Sequence, residues 1–482
     1  MSTKQNDITY NSAKVWQMIL FPLNNTATNT YMYLMFFVSY LAVGGLGLGV
    51  AMVGVIVTFS RLFDAITDPI IGYVIDKTKT KIGKFRPMII LGYTIMTAIL
   101  AFMFLVLPKF SNYYVKFILF IVSYVIYIIG YTFQTACTKS GQTCITNNPS
   151  QRPVFTRCDA IYNLSFFAFM AFYTANYLAK KYQGFTTAAL SEFFVTAAII
   201  AGVFTFLAIV ALWKKDIPEN WGISNDAKVS LKDYIPILKK NRPLQMLVVA
   251  ASTDKLSLNS ANNSAILVML FGIVMGNYSL SGQISLITMI PSILIILYGT
   301  QIAMKKGSKK ALVDFTWYSI ILAIIYFAFY IFFDYRSVSF AAINFTTVVF
   351  VILTCLFKGV QSISSNIVIP MIADCADYET YLSGKYVPGM IGTLFSFVDK
   401  VISSLSTTIV NGALAFIGYK AMMPQPTDTY STSIFAFTMA IYLGLPILGW
   451  ICSLVAMKYY ELDGERMKEI QQEISNIKAK AN

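Results

Sequence analysis

The chain has 482 residues, 56% of them hydrophobic and 12% charged, a formal net charge of +14, and no histidine. Soluble globular chains carry about 25% charged residues, so most of this surface meets something other than water; at roughly 20 apolar residues per crossing the length accommodates twelve membrane spans. The basic excess is the loop signature of a membrane chain and excludes nucleic acid as a partner, while the missing histidine removes the commonest general base and metal ligand and argues against an enzyme.

The first fifteen residues are polar and lack the apolar core and cleavage site of a signal peptide. Apolar stretches long enough to span follow near 17–43, 47–74, 87–107, 114–137, 160–180 and 190–213. A charged, proline-containing segment runs from Lys214 to Arg242, and six more stretches lie near 244–275, 281–304, 311–333, 342–371, 388–417 and 432–457. The expected organisation is a six-helix bundle over 1–213, a middle loop over 214–243, a second six-helix bundle over 244–457, and a polar, helical tail over 458–482. All six cysteines lie in or beside apolar stretches without zinc-type spacing, and read as small buried hydrophobes.

Loop charge sets the orientation. One set of loops holds Lys77, Lys79, Lys81, Lys84 and Arg86, then Lys214 through Arg242, then Lys305, Lys306, Lys309 and Lys310; the alternate set holds only scattered bases such as Lys109, Lys116 and Arg336. The first set belongs in the cytoplasm, with both termini. Two of these loops also match each other: each opens on a glycine (Gly72, Gly299), runs into lysines, and carries a second glycine (Gly83, Gly307) before another basic pair. Two related halves place a binding site near the membrane midplane.

Charges fall inside the second stretch. Arg61, Asp64 and Asp68 are spaced i, i+3 and i+7, on one helix face. A charge at mid-membrane costs at least ~2.5 kcal/mol, and carboxylates one turn apart repel, so at least one holds a proton or shares a cation. Arg61 as a simple counter-ion to Asp64 leaves Asp68 unexplained; a cation site accounts for both acids.

Residues 61–87, RLFDAITDPIIGYVIDKTKTKIGKFRP, strongly resemble the signature of the glycoside–pentoside–hexuronide cation symporters, the melibiose-permease branch of the major facilitator superfamily. MIADCADYETYLSGKYVPGMIGTLFSFVDK at 371–400 and YMYLM at 31–35 resemble further stretches of that family. The resemblance implies an all-α membrane protein with the major facilitator fold, twelve transmembrane helices in two pseudo-symmetric six-helix bundles. It also implies alternating access in a cell membrane, a monomer among lipid, and uptake of a solute with a coupling cation, Na⁺ or H⁺, and no other cofactor. The cation falls to Asp64 and Asp68, a metal site if sodium couples, with Thr132 beside them. Asp76 reads as a loop residue that helps lock the bundles.

The expected substrate site departs from the family. Two sugar-binding acids are replaced by Asn24 and Thr135, and an aromatic position falls on Lys139. Tyr31 and Tyr131 match by position, Arg61 lies beside the acids, Arg157 and Lys400 match a family arginine and lysine, and Lys358 is an addition. Thr132, Thr135 and Lys139 share a helix face at i, i+3 and i+7. Lost acids and added bases suit an anion, such as a glucuronide or hexuronate; a neutral oligosaccharide or a non-sugar solute on the same fold is the alternative. In the competing account the bases pair with Asp159, Asp254 and Asp399, or snorkel to the interface, Lys139 above all. Asn259, Asn262 and Asn263 suit either a sugar or bridges between helices.

Overall fold

The computed structural model describes residues 11–146, 151–221, 239–383 and 388–481, and among them no strand occurs, only an isolated bridge between Thr80 and Gly83. The principal helices are α1 (Leu23–Met35), α2 (Val50–Lys77), α3 (Phe85–Ala101), α4 (Tyr113–Ile145), α5 (Arg152–Tyr173) and α6 (Thr187–Leu212). They continue as α7 (Arg242–Ala261), α8 (Ser279–Lys306), α9 (Ser308–Phe332), α10 (Phe345–Ser383), α11 (Pro388–Phe416), α12 (Thr432–Lys458) and a tail helix, α13 (Gly464–Ala481). Each of the twelve apolar stretches thus carries a helix. Among the described residues eight are long and apolar enough to cross a membrane, or nine if the bent pair Arg242–Ala261 and Ser264–Val274 is one span.

At the first and seventh stretches the shortfall has local causes. The first stretch is broken: a short helix, Val15–Leu20, ends at Phe21–Pro22, and beyond α1 the chain turns at Phe36 before a π-helical stretch, Leu41–Gly45. Span seven bends by 48° at Asn262–Asn263. There Asn263 accepts the N–H of Ala265 (3.0 Å) and starts a new helix, while Asn262 donates to Leu258 O (2.9 Å). Asparagine competes with the helix for its own backbone groups, which is why the break falls here. At the other extreme, α10 runs to Ser383, well past the expected end at 371, and α2 runs to Lys77, which puts Asp76 in a last helical turn rather than in a loop.

Two compact units form. The first comprises Met1–Leu48, Phe63–Met170 and Phe185–Asp226. Its core includes Phe21, Ile89, Cys137, Phe155 and Leu212, with Phe21 and Phe155 edge to face at 6.1 Å. The second comprises Gly49–Leu62, Ala171–Gly184 and Ala227–Asn482. Leu244, Leu312, Ile363, Met371 and Ile391 form its core, and α13 docks onto it through Ile470 and Ile474. The first half of α2 joins this second unit because its backbone lies close to α11. Thr58 donates to Ser404 O (2.9 Å) and meets Thr408 Oγ1 (2.7 Å), while a Cβ at Gly54 would stand 2.9 Å from Asn411 Cβ. The expected middle loop falls mostly on 222–238, outside the described residues.

The basic loop of the first unit is more than a charge signal. Asp216, buried just beyond α6, accepts the backbone N–H of Lys84, Phe85 and Arg86, each at 2.9 Å, and so caps the N-terminus of α3. A carboxylate at a helix N-terminus satisfies orphan donors and meets the positive end of the dipole. Trp221 Nε1 donates to the same carboxylate (2.9 Å), and the Arg86 guanidinium lies 5.4 Å over the Trp213 ring. Gly83, at φ +117°, leaves no room for a Cβ beside Asp216. Next to it, Lys215 donates to Asn11 Oδ1 and to Ser12 O (2.8 Å), and burial lowers its pKa below the usual lysine value.

Candidate functional site

Asp64 and Asp68 lie half-buried on α2, on the face that the spacing assigns them. Across from them Thr132, buried on α4, donates to Asp64 Oδ1 at 2.9 Å and shares that hydroxyl with Ile128 O of its own helix (3.0 Å). Thr67, one turn from Asp64, donates to the Asp64 carbonyl (3.1 Å) and approaches Thr132 Oγ1 at 3.5 Å. The arrangement gathers carboxylate and hydroxyl oxygens at membrane depth. Such donors suit a hard cation or a proton. No group of three or more acid or cysteine side chains that could hold a metal ion occurs among the described residues.

Other expected site residues divide between buried and open positions. Asn24 is fully buried: its amide donates to Gln134 O (3.1 Å) and Thr138 Oγ1 (2.6 Å) and accepts from Gln134 Nε2 (3.0 Å), tying α1 to α4. Tyr31 is equally buried, its hydroxyl 2.6 Å from Thr97 Oγ1 and its ring stacked on Tyr93. Thr135 returns its hydroxyl to its own helix, at Tyr131 O (3.0 Å) and Thr132 O (3.2 Å). Tyr131 is half-buried, its hydroxyl pointing at Met32 Sδ (3.7 Å). Arg61 and Arg157 are exposed; Lys358 on α10 and Lys400 on α11 are half-buried. The Lys139 side chain lies outside the described residues, though its backbone follows Thr135 by one turn of α4.

Two of the acids expected to pair with these bases, Asp159 and Asp399, have other partners. Asp159 accepts from Asn25 (2.8 Å) and Asn163 (3.2 Å), and Asn163 in turn accepts from Asn29 (2.6 Å). The sequence itself carries a signal for this lattice: Asn25/Asn29 and Asp159/Asn163 are both i, i+4 pairs, so two helix faces present matching polar rows. Asp399 on α11 accepts from Lys255 on α7 at 2.5 Å, a base that the sequence reading passed over. Asp254 is buried on α7, with one carboxylate oxygen lacking a hydrogen-bond partner.

The chain is 23% identical over 440 residues to the glucuronide carrier protein homolog of Escherichia coli (strain K12), covering 90% of this chain and 89% of that one. It is 22% identical over 433 residues to the isoprimeverose transporter of Lactiplantibacillus pentosus, covering 89% and 84%. Among solved structures, the nucleoside transporter NupG (D323A mutant) superposes with a TM-score of 0.60 at 12% identity, covering 92% of this chain and 99% of that one, a likeness of fold. The fold is therefore the all-helical major facilitator fold, and the protein is a multi-pass membrane transporter, not an enzyme. A family model described as MFS/sugar transport protein matches residues 18–464, and the chain belongs to that family.

Proposed function

We propose that the protein carries a glycoside bearing an acid group, a glucuronide or hexuronate, in symport with Na⁺ or H⁺, as a monomer in the cell membrane with both termini in the cytoplasm. The observation that carries the coupling half is the hydrogen bond from Thr132 to Asp64 Oδ1 at 2.9 Å, with Asp68 one turn along. An oxygen-lined pair of acids at membrane depth is costly unless it binds a cation or proton in the working cycle. The candidate substrate contacts are the open or half-open groups Arg61, Tyr131, Thr135, Arg157, Lys358 and Lys400, together with Lys139, whose side chain lies outside the described residues. Asn24 and Tyr31 contribute from inside their unit, by fixing α1 against its neighbours.

The acidic substrate is supported by the loss of both sugar-binding acids, by the bases at Lys358 and Lys400, and by the likeness to a glucuronide carrier homolog. A neutral glycoside is favoured by the likeness to an isoprimeverose transporter. Uptake into proteoliposomes under an imposed Na⁺ or pH gradient, with phenyl β-D-glucuronide and phenyl β-D-glucoside as competitors, separates the two. The glucuronide should win in the wild type, and Lys139→Gln and Lys358→Gln should narrow its advantage by roughly ten- to a hundredfold, the worth of a hydrogen bond to a charged group. Equal competition by both probes would return the protein to the neutral-sugar reading.

A further inference from the structure

The exposed polar face of α7 has no role in the cation site. Lys255 and Asn259 follow one another at i and i+4 on one side of the helix, Asn262 stands at its C-cap three residues on, and all three are exposed. Immediately before them the same side is covered: Ala251 is half-buried and Val248 buried. Lys255 lies thirteen residues into the helix from Arg242, about 20 Å along its axis at 1.5 Å per residue, and nineteen residues before the bent span ends at Val274. Exposed charged and amide groups at that depth are costly against hydrocarbon, which favours a water-facing position for this side of the helix. The opposite side of the helix is sealed, with a Cβ at Gly449 of α12 2.9 Å from Thr253 O and Asp254 buried.

Asp399 completes the arrangement from α11. Its carboxylate is held 2.5 Å from Lys255 Nζ, with the lysine side chain 50% exposed and the aspartate 10%. The pair joins α7 to α11. It leaves the ammonium open, beside two exposed amides. A carboxylate that accepts, an ammonium that donates and amides that do both make up the set that reads neighbouring hydroxyls on a sugar ring. Asn24, which the resemblance places at one of the two family positions for that task, holds its polar atoms against its own unit instead.

We propose that Lys255, Asn259, Asn262 and Asp399 form a subsite for the sugar hydroxyls of the carried glycoside, Asp399 accepting from one hydroxyl and Lys255 donating to its neighbour. The subsite rests on the glycoside reading above, and is indifferent to whether the substrate also carries an acid.

Competition binding to the purified full chain tests it, with phenyl β-D-glucoside, phenyl β-D-glucuronide and their 2-, 3- and 4-deoxy analogues as probes. Asn259→Ala, which disturbs no ion pair, and Asp399→Asn should each weaken the parent glycosides at least tenfold. The loss should be the same for glucoside and glucuronide, and should shrink to under threefold for the deoxy analogue that lacks the hydroxyl being read. Monodisperse variants that keep wild-type affinity, or that lose parent and every deoxy analogue equally, overturn the subsite. A wild type that binds the deoxy analogues as well as their parents also overturns it while leaving the glycoside reading in place; a wild type that binds no glycoside at all overturns both.

Discussion

Asp216 Oδ2 accepts the backbone N–H of Arg86 at 2.9 Å across 130 residues of chain, so the end of α6 caps the start of α3. Two more N–H groups converge on the same buried carboxylate. Asp216→Ala strands these donors, and the loss should exceed that of an ordinary cap, ~1–3 kcal/mol. It appears as a lower temperature of half-loss of monodisperse protein. Asp216→Asn should recover part of the difference, because an amide oxygen still accepts. A thermally unchanged Asp216→Ala would mean that the cap contributes nothing.

The bond from Thr132 to Asp64 gives a graded test of the coupling site. Thr132→Val keeps the shape and deletes the donor, and should raise the half-saturating concentration of coupling ion by roughly ten- to a hundredfold. Thr132→Ser keeps the hydroxyl and should stay near wild type. Asp68→Asn should abolish concentrative uptake while substrate exchange continues. Ion-driven accumulation at the wild-type level in Asp68→Asn would remove these acids from the coupling site.

Asn24 separates a packing role from a recognition role. Its amide makes three hydrogen bonds to Gln134 and Thr138 with no exposed surface. Asn24→Leu should cost ~1–3 kcal/mol of stability by leaving buried partners unmade, and the protein that survives should bind glycosides as the wild type does. A selective loss of substrate affinity at unchanged thermal stability would put Asn24 back among the sugar contacts.

Gly54 tests how closely α2 approaches α11. A Cβ there meets Asn411 Cβ at 2.9 Å and Thr407 O at 3.1 Å, where little can give way. Gly54→Val should lower the thermal midpoint, with a cost of ~1–3 kcal/mol from overpacking. Asn411→Gly in the same chain removes the nearest atom and should restore part of the loss. No change in Gly54→Val would show that the two helices part easily at this point.

What the sequence determined by itself is the class of the molecule and the positions of its helices. Sustained apolar runs and a deficit of charge leave no other solution, because backbone polar groups in hydrocarbon must be satisfied within the segment. The i, i+3, i+7 spacing put Arg61, Asp64 and Asp68 on one side of α2, and a motif at 61–87 pointed to the sugar-transport family whose model spans residues 18–464. Spacing fixes which residues share a face, but it does not say what that face meets. Only the tertiary structure decided that Asn24 and Tyr31 turn into the packing of their unit, that Asp399 meets Lys255 of α7, and that Asp216 caps a helix 130 residues earlier. Each of these depends on the rotation of one helix against another, which is set by side-chain packing across long sequence separations. Periodicity along a single chain carries no record of it.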